Sequence, residues 1–271
     1  MNDLFQYRAP RTREELLDLL AEHGDRAKLL AGGTDLLVDV RAGLAKPRLV
    51  VDLKQVPGYR DLGWSDAGGL VIGPAVTVNQ LLEDERVRAD FPLLASCGET
   101  LASYQLRNRA TVVGNLTNAS PCADLAPGLL CLDARVAIAS KRGVRVVALA
   151  DFFTGVKQTV VAPDEVVEEV VVPAAAARTR GGYRKLQRIN GHDLSLVGVA
   201  VARSNGDLRL GVNSAAPTPV LVDLAGDTPP EDVAAAVRDA ISPIDDVRAG
   251  REYRQFMVDV FVRRLLEEVE R

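Results

Sequence analysis

The sequence predicts an α+β chain in two domains, and three observations carry that reading. In the first half, strand-like and helix-like segments interleave, but the strands are short and turn-rich. A doubly wound parallel sheet would show longer apolar runs. In the second half a hairpin pattern comes first and helical patterns follow. Between the halves the composition shifts at Ala174-Ala175-Ala176-Ala177-Arg178-Thr179-Arg180-Gly181-Gly182. That places one domain over residues 1–175 and a second over 180–271. The chain length of 271 residues suits one large or two modest domains.

The elements follow in order. Thr12-Arg13-Glu14-Glu15 reads as a capping box, in which the hydroxyl and the carboxylate each satisfy a free N–H of the first turn. Leu16, Leu17, Leu19 and Leu20 follow at helical spacing, so a helix runs to about His23. Strands are expected at 28–31, 47–53 and 69–73. Thr77-Val78-Asn79-Gln80 is a second capping box and opens a helix through Leu81 and Leu82. A further helix is expected from Pro92 to about Ala102. Residues 134–140 and 144–149 read as strands around Lys141-Arg142-Gly143, and 166–172 as a β-branched strand stopped by Pro173. Beyond the boundary, 195–202 and 208–212 flank Asn205-Gly206, a hairpin signal because both residues accept positive φ. A strand at 220–224 and a helix at 233–241 follow. The last helix places Tyr253, Phe256, Met257, Val260, Phe261 and Leu265 on a face expected to be core.

Composition excludes several functions. The apolar fraction of 47% supports a sizeable core, and 26% charged residues suit a soluble surface. The net charge of −4 argues against a nucleic-acid footprint, which needs a basic face. No apolar run approaches the ~18 residues of a membrane span. The start, Met1-Asn2-Asp3-Leu4-Phe5, lacks the basic and apolar regions of a signal peptide, so the cytoplasm is the expected compartment. The three cysteines, at 97, 122 and 131, form no C-x-x-C and are too few for a four-thiolate iron–sulfur cluster. They are expected as small buried hydrophobes. His23 and His192 are far apart in sequence, which supplies zinc or Ser-His-Asp chemistry poorly. His23 is expected at a helix end, where the dipole favours it.

Two glycine-bearing stretches, each read as a turn after an apolar strand, carry the functional signal. They are Lys28-Leu29-Leu30-Ala31-Gly32-Gly33-Thr34-Asp35-Leu36 and Arg109-Ala110-Thr111-Val112-Val113-Gly114-Asn115-Leu116-Thr117-Asn118-Ala119-Ser120-Pro121. Glycine allows close backbone approach and positive φ, and successive N–H groups in such turns form an anion nest. Two such turns can clamp one diphosphate. Neither fits the P-loop or the G-x-G-x-x-G pattern. On the glycines alone, a phosphate cradle and an ordinary chain reversal both remain open.

These residues resemble the FAD-binding medium subunit of the molybdenum hydroxylases, the xanthine dehydrogenase and carbon monoxide dehydrogenase family. The resemblance rests on Ala31-Gly32-Gly33-Thr34-Asp35-Leu36, on residues 109–116, and on Ala119-Ser120-Pro121 with Asp124. Asp151-Phe152-Phe153 and Tyr183-Arg184-Lys185-Leu186 support it. It covers nearly the whole chain. It implies an FAD-binding domain of the vanillyl-alcohol-oxidase-like (PCMH-type) fold in two subdomains, split near residue 55. A C-terminal α+β domain with a small antiparallel sheet and helices would follow.

The same resemblance implies a site. Lys28, Leu29, Leu30, Ala31, Gly32, Gly33, Thr34 and Asp35 would wrap the FAD diphosphate from one side, and Thr111, Val112, Val113, Gly114 and Asn115 from the other. Asp124 would contact the flavin nucleotide through hydroxyls. Val166 and Val167 would lie beside the isoalloxazine. Lys185 would lie near the ring, where a cation favours the reduced anion; a solvated surface lysine is its alternative. The chain departs from the family at Val113, where glycine is usual, and at Leu101, where some relatives place an aromatic against the flavin. Tyr104 nearby is expected as a half-buried packing residue. The branch with an extra [4Fe–4S] loop is disfavoured, because four added cysteines are missing. The implied function is electron transfer. [2Fe–2S] clusters on a small subunit would pass electrons from a molybdenum cofactor on a large molybdopterin subunit, through FAD, to NAD⁺ or another acceptor. The implied assembly is a dimer of heterotrimers, with no acid–base constellation, metal, nucleic acid or transmembrane segment on this chain. A self-contained flavin oxidase of the vanillyl-alcohol class is the alternative.

Overall fold

The computed structural model describes residues 5–189, 191, 193–204 and 206–270. His192 and Asn205 therefore lie outside the described residues. Within them the chain is α+β: a small parallel sheet, a larger antiparallel sheet with helices, and a C-terminal antiparallel sheet backed by two helices.

The first layer contains β1 (Gln6–Arg8), α1 (Arg13–His23), β2 (Ala27–Leu30), α2 (Leu36–Arg41) and β3 (Leu49–Asp52). The strands are parallel in the order β1-β3-β2. Central β3 is buried along its whole length, as parallel pairing with covered faces requires. Leu16, Leu17 and Leu20 of α1 pack on Leu49 and Val51. The cap of α1 differs from the expected box. Thr12 Oγ1 accepts from Glu15 N–H at 3.1 Å, but the Glu15 carboxylate reaches back to Arg11 N–H, at 2.8 Å, not to Thr12.

The second layer begins with β4 (Leu62–Trp64), β5 (Leu70–Ile72), α3 (Val78–Glu83), α4 (Glu85–Asp90) and α5 (Pro92–Glu99). It continues through α6 (Tyr104–Arg107), α7 (Val112–Thr117), α8 (Ala126–Cys131), β6 (Arg135–Ser140) and β7 (Gly143–Ala148). A two-stranded ribbon of β8 (Phe153–Gly155) and β9 (Gln158–Thr159) precedes β10 (Val166–Val172). The five-stranded sheet runs β4-β5-β10-β6-β7 and is antiparallel throughout. A register shift in β10 between Val167 and Glu169 frees Glu168, whose carboxylate pairs with Arg13 of α1. That ion pair ties the two layers together. All three cysteines are buried, as their composition class suggests.

The C-terminal part contains β11 (Arg180–Leu186), β12 (Val197–Ser204), β13 (Asp207–Asn213), β14 (Val220–Ala225), α9 (Pro230–Ala240) and α10 (Arg251–Glu270). Its sheet is a simple antiparallel meander. Val197, Val199 and Val201 of β12 face α9 and α10, while Ala200 and Ala202 on the other face join the core of α5 and α8. The sheet is therefore covered on both sides.

Two sequence expectations change here. The buried face of α10 is Arg254, Val258, Phe261, Val262, Leu265, Leu266 and Val269. Tyr253 and Phe256 are exposed, so the expected stripe was rotated toward solvent by its two large aromatics. The second glycine stretch is also no turn after a strand. It follows α6, and Thr111 N-caps α7, with Gly114 inside that helix.

Candidate functional site

A cleft of about 750 Å³ opens between the first two layers. That volume lies within the range of small-molecule sites. Its two principal walls are the glycine stretches, and they touch. A Cβ on Gly32 would overlap the Arg109 carbonyl oxygen and sit 2.8 Å from its carbon. Only glycine allows that approach. Gly33 follows with φ +77°, a left-handed conformation that glycine adopts without strain.

The first wall is built for an anion. Among the described residues, the N–H groups of Gly32, Gly33 and Thr34 donate to no protein acceptor. Three successive free donors at the end of β2 form a nest. The second wall is held by a short antiparallel bridge between Thr77 and Thr111, in which Val78 N–H donates to Ala110 and Val112 N–H to Val76. Each of these threonines caps a helix. Thr77 caps α3 in a full reciprocal box, and Thr111 Oγ1 accepts from Gly114 N–H at 3.0 Å. Asn115 turns its amide oxygen inward to accept from Leu125 N–H at 3.3 Å.

A polar chain closes one edge of the cleft. Lys157 Nζ donates to Asn118 Oδ1 at 2.7 Å, and Asn118 Nδ2 donates to Asp35 Oδ1 at 3.0 Å. Lys157 N–H also donates to Ala119 O at 2.9 Å, and both residues have positive φ. Two non-glycine residues in that region mark a locally strained edge. Asn118 belongs to the second glycine-bearing stretch, whereas nothing in the sequence pointed to Lys157, a lone lysine two residues after Gly155.

Of the sequence-derived candidates, Lys28, Leu29, Ala31, Gly32, Gly33, Thr34 and Asp35 line the cleft. So do Leu101, Thr111, Val113, Gly114, Asn115, Asp124, Val166 and Val167. Leu30, Val112 and Lys185 do not. Leu30 sits behind Gly33, and Val112, the first residue of α7, is fully buried in the core. Tyr104 is 55% exposed, with its hydroxyl on Glu83, and is not the half-buried packing residue expected.

Lys185 is neither a surface lysine nor a free cation in the cleft. Its side chain is 2% exposed, and Nζ donates to Asp124 Oδ2 at 2.9 Å and to Thr100 O at 3.1 Å. Asp124 Oδ1 accepts from Tyr183 Oη at 3.4 Å. Burial pushes the Asp124 carboxyl above its ordinary value, and the Lys185 charge opposes that push. Asn213 braces the same region, with Nδ2 donating to Ala123 O at 3.0 Å and its Oδ1 accepting from Ser195 Oγ at 3.1 Å. Asp124 therefore carries a counter-charge behind it and presents itself at the cleft floor.

These residues fit a flavin dinucleotide. The nest and the caps suit a diphosphate, Leu101, Val166 and Val167 give apolar wall, and Asp124 offers an acceptor for hydroxyls. Among the described residues no group of three or more His, Cys, Asp or Glu could hold a metal ion, and no helix is long and apolar enough to cross a membrane.

Comparison with known proteins agrees. Residues 3–175 match the family described as the FAD binding domain in molybdopterin dehydrogenase. The carbon monoxide dehydrogenase medium chain of Hydrogenophaga pseudoflava is 32% identical over 277 residues, spanning 97% of this chain and 96% of that one. The putative xanthine dehydrogenase FAD-binding subunit of Escherichia coli is 31% identical, spanning 99% and 97%. In three dimensions, a chain of the reconstituted CO dehydrogenase from Oligotropha carboxidovorans matches with a TM-score of 0.91 at 27% identity, covering 98% of this chain and 97% of that one.

Proposed function

The chain belongs to the family of FAD-binding domains of the molybdopterin dehydrogenases and is an FAD-carrying component of an oxidoreductase, and from that premise we propose how it works. It passes electrons from iron–sulfur clusters on a small partner subunit, through its FAD, to NAD⁺ or another acceptor. The molybdopterin cofactor belongs to a large partner subunit. This chain and those two partner subunits form a heterotrimer that pairs, and the assembly works in the cytoplasm. Exposed apolar side chains at Ile244, Val247 and Phe256 supply surface that partners could cover.

The observation that carries this reading is the meeting of the two glycine stretches at Gly32 and Arg109, over a cleft with free N–H donors on one wall. Backbone N–H groups of residues 32–34 hold the diphosphate from one side, and the segment from Thr111 to Asn115 confines it from the other. Leu101, Val166 and Val167 exclude water from the ring. Asp124 accepts from nucleotide hydroxyls, and Lys185 acts behind it, holding the carboxylate in place. When bound, FAD supplies a carrier that takes electrons singly and releases them singly or in pairs. The chain needs no proton-abstracting residue for that relay.

The test is spectroscopic and then kinetic. The purified chain should show flavin absorption bands and release FAD on heating. Co-purified with its partners, it should reduce an acceptor with electrons from a substrate oxidised at the molybdenum subunit. A flavoprotein that oxidises a substrate by itself, without partners, would replace the relay with a self-contained oxidase.

A further inference from the structure

We propose that Lys54 is a positioning residue that holds the diphosphate-binding loop in its donor-only conformation. This rests on the reading of residues 31–35 as the diphosphate cradle. A nest attracts an anion only if its carbonyls point away. The carbonyl at risk is that of Ala31, directly before Gly32. Lys54 Nζ donates to it at 3.0 Å, while pairing with Asp52 Oδ1 at 2.7 Å. The ammonium thus holds the Ala31 oxygen, which would repel a diphosphate if it turned toward the nest.

The lysine is itself fixed from two sides. Asp52, at the end of β3, is buried, and its side chain is 8% exposed against 19% for Lys54. Asp52 Oδ1 accepts from Lys54 N–H at 2.9 Å, and Oδ2 accepts from Tyr7 Oη, on β1, at 2.6 Å. Ala31 follows β2. Tyr7, Asp52, Lys54 and the Ala31 carbonyl thus form one polar chain that links all three strands of the parallel sheet. Lys54 is not on the cleft wall. It acts through the loop, and its effect should fall on the part of the ligand that the loop touches.

The experiment titrates the flavin-free chain with FAD and with riboflavin, which lacks the diphosphate, following flavin fluorescence. Lys54→Met should weaken FAD by roughly tenfold or more, the scale of one lost hydrogen bond to a charged group, and leave riboflavin within about twofold. The double variant Asp52→Asn with Lys54→Met leaves no buried carboxylate unpaired and should show the same selective loss. Tyr7→Phe, remote from the loop, should show a smaller loss of the same kind. Circular dichroism establishes that each variant is folded. Equal losses for FAD and riboflavin in the double variant, or no loss for either, overturn the proposal. Gly32→Val separates the two levels. If it abolishes FAD binding while the double variant does not, Lys54 alone loses its role. If Gly32→Val is also neutral, the cradle falls, and the role of Lys54 with it.

Discussion

Replacing Lys185 by methionine would leave the Asp124 carboxyl buried with no counter-charge. Breaking one partner of a buried pair costs about 3 kcal/mol, because the remaining charge stays desolvated. Asp124 already sits above its ordinary value through burial, and removing the ammonium raises it further. Lys185→Met should therefore lower the urea midpoint and the retained FAD together. Asp124→Asn with Lys185→Met, which removes both charges, should recover much of the stability but not the flavin affinity. Denaturant titration beside flavin content checks both, and full recovery of both would deny Asp124 any contact with the nucleotide. Gly32 and Gly33 were legible in sequence because a glycine dipeptide is a local signal, whereas Thr111 was read within a turn and its capping of α7 was not. Lys185 and Asp124 stand 61 residues apart, and no local pattern announces such a pair. Only the resemblance brought both to the site, and it did not show that they bind one another.

The elements divide along the same line. Thr12 and Thr77 both cap helices, because a cap is decided within four residues, although only Thr77 completes the expected reciprocal box. α7 and α8 escaped notice because each has six residues, too short for a period to show. The rotated face of α10 has a different cause. Arg254 is buried where hydropathy would place it outside, while Tyr253 and Phe256 are exposed. The docking of the C-terminal sheet on α8 gives a prediction at this scale. A Cβ on Gly211 of β13 would overlap the Pro127 carbonyl oxygen and stand 2.7 Å from Pro127 Cα. Both partners are backbone, in elements packed on both sides, and cannot yield. Gly211→Ala should destabilise by about 2 kcal/mol or more, as overpacking does, with a lower melting temperature and intact secondary structure. An unchanged melting temperature would mean that β13 can slide on α8.

For the whole molecule, the question is what fastens α10 and its preceding loop to the cleft. Arg254 is 1% exposed, and its guanidinium donates to Leu196 O at 2.6 Å, Ser214 O at 3.1 Å and Asp246 Oδ1 at 2.7 Å. Ser214 N–H donates to Pro121 O at 2.8 Å, and Arg248 reaches the Cys122 thiol at 3.6 Å while pairing with Asp246. One carboxylate thus anchors two arginines, and through them the C-terminal part meets the 121–124 segment of the site. Burial disfavours ionised Asp246, but hydrogen bonds from Arg248 and Ala249 and the charge of Arg254 outweigh it, so the carboxyl lies well below its ordinary value. A depressed acid stabilises the fold fully above its unfolded value, roughly pH 4, and loses that stabilisation as pH falls toward its folded value. Asp246→Asn keeps the shape and removes the charge, so it should destabilise by about 3 kcal/mol at pH 7. The gap in melting temperature between the variant and the native chain should then begin to shrink from pH 5 to pH 3, because the unfolded carboxyl takes up a proton there while the folded one stays ionised. A gap that stays constant across that range would show that Asp246 works by its hydrogen-bonding shape and not by its charge.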